Sequence, residues 1–196
     1  MGSVPGQVTD KGSLHVGGQR LVDIVRGQLP YGMPVTVVSP FPLGLPQVCE
    51  SPLFSGPAAG IAAGFAALTT MANTDHLAFM AVLSVDAPES PRMLPELHAA
   101  LTDAPQAPVA VTRAADGWLQ PLCALWRRDS LGHAITVLAG ADVPTAQQPA
   151  RLAGMSARRL LRVAGSPAIV EGTGAERDYD TRPQLRAYAT YRGLAL

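Results

Sequence analysis

Hydrophobic positions come in short blocks whose spacing alternates between the helical and the extended period. Over residues 11–30 a glycine-rich loop gives way to Leu21, Val22, Val25 and Leu29, which share one helix face, and Pro30 and Gly32 end the helix. PVTVVS at 34–39 is β-branched and almost wholly apolar, the composition of a strand covered on both faces, and Pro40, Pro42 and Pro46 force a loop behind it. GPAAGIAAGFAAL at 56–68 carries no charge and much alanine, which predicts a helix pressed closely onto a sheet. Its glycines lower helix propensity unless close packing or a ligand needs the room. A second buried strand spans 77–85, and Asp86 stands immediately past its carboxyl end.

The same reading gives a helix at 91–101, strands at 108–113 and 118–126, and a helix at 127–138. Pro144 and Pro149 make 140–153 the expected flexible segment, followed by a short basic helix at 156–163, a last strand at 168–170 and a terminal helix at 181–191. Strands alternating with helices predict an α/β fold, a three-layer α/β/α sandwich around a Rossmann-like, mainly parallel sheet, and such sheets bind ligands beyond the carboxyl ends of their strands. A length of 196 residues supports one core, so a single domain over 1–196 is expected.

Charge narrows the partners. Fifteen basic residues balance fifteen acidic ones, so no global field attracts nucleic acid or an anionic membrane, and an anionic ligand must be gripped locally. Cys49 and Cys123 lie far apart without a CxxC pair, which argues against a zinc site or a disulfide framework. The longest apolar run, 77–83, is too short to span a membrane, and residues 1–10 hold no apolar signal region. The expectation is a cytoplasmic protein.

Four places could carry chemistry. Asp86, in SVDAP at a strand end, suits a magnesium ion bridging to substrate phosphates, or equally a turn that caps the next helix. Lys11, the only lysine of the chain, stands among small residues before a helix, where it could receive a phosphate or remain a solvated loop side chain. Gly56 and Gly60 open a helix with nothing bulky in its first turn, which admits a flat base or ribose but serves helix-to-sheet packing equally well. Asp178 and Asp180 precede Thr181, a natural cap for the final helix, and could add a metal or water contact. His15, His76, His98 and His133 show no ligand or triad spacing.

Taken in order, DKGSLHVGGQRLVD, the Glu50 turn with GPAAGIAAGFAAL, SVDAP, QPLCALWRR and DYDTRPQL resemble the MobA-type nucleotidyltransferases over about 10–185. The resemblance implies magnesium-dependent transfer of GMP from GTP to the phosphate of molybdopterin, with release of pyrophosphate. It makes Lys11 the residue that neutralises charge on the triphosphate and Asp86 the metal ligand, both catalytic. Glu50, Gly56 and Gly60 then belong to the nucleotide site, and Asp180 becomes a second metal residue.

One departure stands out. The family pattern begins with an apolar strand and an LAGGxSxRxG loop, whereas only MGSVPGQVTDKG precedes the first helix here, with Ser3, Val4, Pro5 and Gly6 in place of the end of that loop. The alternative expectation is therefore a non-catalytic relative that keeps the fold without the triphosphate grip, with a homo-oligomer covering the incomplete sheet.

Overall fold

The structure, a computed structural model, describes residues 10–74 and 76–193. Ser3, Val4, Pro5 and Gly6 lie outside them. A four-stranded sheet forms the centre, built from β5 (Phe79–Leu83), β7 (Leu119–Arg127), β6 (Val109–Arg113) and β8 (Ala168–Glu171) in that spatial order. Strand β7 runs antiparallel to both of its neighbours, while β6 and β8 are parallel. Three of the four strands thus run in one direction, and the reversed β7 lies between two of them.

Side chains alternate across this sheet as the two-residue period requires. Val109 and Val111 of β6, with Met80, Ala124 and Trp126, face a layer of α2 (Pro57–Thr70), α4 (Arg128–Ala139) and α6 (Ala157–Ala164). Ala110, Cys123 and Leu125 face the opposite way, against Leu97 and Leu101 of α3 (Leu94–Asp103). Two helical layers sandwich one sheet, and this is the three-layer α/β/α arrangement that the sequence pattern predicts.

A third cluster lies beside the sheet. The hairpin of β1 (His15–Val16) and β2 (Gln19–Arg20) leads into α1 (Leu21–Gly27), and Val16, Leu21 and Ile24 pack against Leu185, Tyr188 and Ala189 of α7 (Arg182–Tyr191), with Val85 at the edge. The first and last segments of the described chain therefore meet next to the end of β5.

Two local expectations need correction. The apolar run at 34–39 contributes only the two-residue strand β3 (Val37–Val38), which pairs in parallel with β4 (Gln47–Val48), and Val38 is exposed rather than covered on both faces. Prolines at 34 and 40 bracket the run and supply no N–H to a ladder, which limits its length. The segment at 140–153, expected to be flexible, holds a 3-10 turn at Thr145–Gln147 and the short helix α5 (Gln148–Arg151). Leu152 is fully buried there, and the Gln148 amide donates to Thr136 Oγ1 at 3.3 Å, so Pro149 starts a helix instead of breaking one.

Candidate functional site

Asp86 projects from the carboxyl end of β5 with only 17 % of its side chain exposed. It caps no helix: the following 3-10 turn, Ser90–Met93, has Glu89 at its N-cap position. Each Asp86 oxygen has a partner instead, Ser84 Oγ donating to Oδ1 and Lys11 Nζ to Oδ2 at 2.6 Å. The same Lys11 ammonium donates to Oδ1 of Asp180, so two carboxylates 94 positions apart in sequence converge on one cation.

Each partner reaches the site by a local device. Lys11 opens a 3-10 turn, Lys11–Ser13, capped by Asp10, whose carboxylate accepts from Gly12 N at 3.0 Å. Asp180 stands just before Thr181, the N-cap of α7, where Thr181 and Gln184 form a reciprocal capping box that fixes the entry of the helix. The intervening chain is tied to the strand end by Tyr179 N, which donates to the Asp86 carbonyl at 2.8 Å.

A cavity of about 140 Å³ opens beside Asp86, lined among others by Gln120 and Cys123 of β7 and by Glu176 and Asp178. Burial works against the charge on Lys11, but the hydrogen bonds and charges of Asp180 and Asp86 outweigh it and raise the ammonium pKa above the ordinary lysine value. The Asp178 carboxyl, turned toward the cavity although much of the residue is exposed, is pushed up to about 6 by desolvation and by the negative charges of Asp86 and Asp180. The site is rich in carboxylate, with Lys11 as its counter-charge.

The chain matches the family model described as the MobA-like NTP transferase domain over residues 1–151. It belongs to that family. This MobA-like chain is also similar in fold to the crystal structure of 2-C-methyl-D-erythritol 4-phosphate cytidylyltransferase from Thermus thermophilus, at 17 % identity and a TM-score of 0.60, with 94 % of each chain covered. No curated protein sequence matches it. No helix among the described residues is long and apolar enough to cross a membrane.

The family match spans Lys11 and Asp86 and stops before Asp180. Of the residues singled out from sequence, the structure of the MobA-like chain joins Lys11, Asp86 and Asp180. Glu50 is buried just past β4, and no hydrogen bond or ion pair among the described residues links it to those three. Gly56 has φ of +90°, a backbone conformation that favours glycine, and the first turn of α2 already donates from Ala58 N to Met155 O at 3.2 Å. A side chain added at Gly64 would meet Val38 at 3.1 Å, so close helix-to-strand packing favours that glycine, whereas at Gly60 the nearest atom is 3.6 Å away on Val38, an ordinary contact that packing alone does not forbid.

Sequence reasoning did not single out Glu89 or Glu176. Glu176 had a local signal, since its carboxylate accepts from Gly174 N within a glycine-rich turn. Glu89 had only an i,i+3 spacing to Arg92, which any solvated turn can show, because its partners Tyr188 and Arg192 are 99 and 103 positions away.

Proposed function

We propose that this protein is a magnesium-dependent nucleotidyltransferase. An acceptor oxygen attacks the α-phosphorus of a nucleoside triphosphate in line, the new P–O bond forms as the bond to the bridging oxygen breaks, and pyrophosphate leaves. The observation that carries the reading is the meeting of Asp86 and Asp180 on a single cation at the carboxyl end of a sheet strand.

That meeting also tests the fit of a metal. No three His, Cys, Asp or Glu residues form a metal-holding group among the described residues, so an all-protein cage is absent there. Magnesium in phosphoryl-transfer sites needs only one or two carboxylates, its remaining positions going to water and phosphate oxygens. Asp86 and Asp180, already directed at one ammonium, supply such a pair. Magnesium bound there would neutralise charge on the phosphate oxygens. Lys11 would exchange its carboxylates for the triphosphate, opposing the negative charge that builds during attack. Glu50, Gly56 and Gly60 fall on the nucleotide side of this reading.

The motif likeness favours GTP as donor and molybdopterin as acceptor, with GMP passing to the molybdopterin phosphate. CTP is the natural competitor, because the fold neighbour is a cytidylyltransferase. Pyrophosphate release from each nucleotide, with and without magnesium and molybdopterin, tests the pair directly. Asp86→Ala should lower the magnesium-dependent rate by about 10²- to 10³-fold, the scale on which removal of one preorganised electrostatic partner acts. A variant that binds GTP and magnesium as the parent does would overturn the assignment.

A further inference from the structure

Glu89 follows the Asp86-Ala87-Pro88 turn and is 5 % exposed, a burial unusual for a glutamate unless it is paired. Its Oε1 accepts from Tyr188 Oη at 2.5 Å and from Arg192 Nη1 at 2.5 Å, both on α7 or at its end. Arg92 Nε lies 2.7 Å from Oε2, close enough for an ion pair, although that oxygen receives no aligned hydrogen bond. Tyr188 is itself fully buried, and its ring packs on Tyr179 at 4.8 Å between centroids. Tyr179 in turn holds the Asp86 carbonyl. On the other side of the turn, the Gln28 amide of the α1 C-cap donates to Pro88 O at 2.6 Å.

We propose that Glu89 is a positioning residue whose buried carboxylate clasps α7 through Tyr188 and Arg192 and thereby seats Asp180 against Lys11 and Asp86. A hydrophobic side chain could fill the same space, but it would leave Tyr188 Oη and the Arg192 guanidinium without their acceptor. The contact also joins the turn that carries Asp86 to the helix whose N-cap follows Asp180, so the separation of the two carboxylates depends on it. The functional meaning of that separation rests on the nucleotidyltransferase reading; the positioning itself does not.

Lys11 supplies a reporter that needs neither nucleotide nor metal. As the only lysine, it is the single ε-amine an acetylating reagent can modify, and peptide mass spectrometry of the full chain separates it from the N-terminal amine. Asp180→Asn should speed acetylation of Lys11 roughly two- to fivefold, the scale of a half-exposed ion pair. Tyr188→Phe and the isosteric Glu89→Gln should produce the same acceleration, and neither should add to it when combined with Asp180→Asn. Protection of the buried Cys123 thiol verifies that each variant is folded, and Tyr188→Phe keeps the Glu89 to arginine pairs should Glu89→Gln fail to fold. The proposal is overturned if Asp180→Asn alone accelerates the reaction, if its effect and that of Tyr188→Phe simply multiply, or if Lys11 responds to none of the variants. The GTP assay with Asp86→Ala stands apart, so the catalytic reading can fail while the clasp survives, and the reverse.

Discussion

Burial pushes the Cys123 thiol up to about 11, against a weak opposing hydrogen bond that Thr112 Oγ1 donates to Sγ at 3.3 Å. Cys49 is exposed. A thiol reagent at pH 8 is therefore expected to label one cysteine per native chain and a second only after unfolding, read as mass increments. The sign of the pH effect follows from linkage. An unfolded Cys123 ionises near pH 9 while the folded one stays neutral, so stability declines as pH rises from about 9 to 11. Replacing Cys123 with alanine should flatten that part of the curve in denaturant titrations, whatever it does to stability at neutral pH. At this scale Lys11, Asp86 and Asp180 drew attention because each stands at a break in the hydrophobic pattern, next to glycines, a proline or a helix cap, but spacing alone left a loop lysine, a turn and a cap open, and only the motif resemblance set them together. Glu89 stands at such a break too, but its significance comes from Tyr188 and Arg192, and no local spacing encodes a contact across about a hundred residues.

Helix α7 is the element on which the site leans most. Its capping box is readable directly from Thr181 and Gln184, and Thr181→Ala should cost about 1 kcal/mol, the usual value of a lost N-cap. Hydrogen exchange should then quicken in α7 and leave the amides of β6 and β7 as they were. A uniform acceleration across the chain would instead mean that α7 and the sheet unfold as one unit. The longer elements lie close to where the sequence puts them, α2 by its uncharged alanine-rich run, α3 by helical spacing, β6 and β7 as apolar strands. The two-residue strands β1, β2 and β4 escaped because a ladder so short leaves no periodic signature, while β3 was anticipated within 34–39 but forms only two residues of it. Helix α5 escaped because proline marks both loops and first helical turns, and only the packing of Leu152 and Gln148 decides between them.

Across the whole molecule, stability should be unevenly spread. Val109 and Val111 are fully buried in the middle of the large sheet, whereas β3 and β4 make a separate two-stranded ladder with Val38 exposed. Native-state exchange is expected to rank the β3 and β4 amides well below those of β6 and β7 in opening free energy; equal protection would show that the small ladder shares the central core. The direction of β7 was not legible, because periodicity reports which face a residue points to and nothing about which way its strand runs. That direction has a further outcome. β6 ends, and β7 begins, at the same rim as Asp86, joined by a tight turn in which Gly117 adopts φ of +85° and Trp118 lies under the Arg158 guanidinium at 4.6 Å. Gln120 and Cys123, a few residues further on, form the cavity wall. A surface turn of this kind tolerates insertion and drift far better than a strand does. Descendants of this chain could thus reshape what enters beside Asp86 by rewriting one hairpin tip, while the lysine and both aspartates stay as they are.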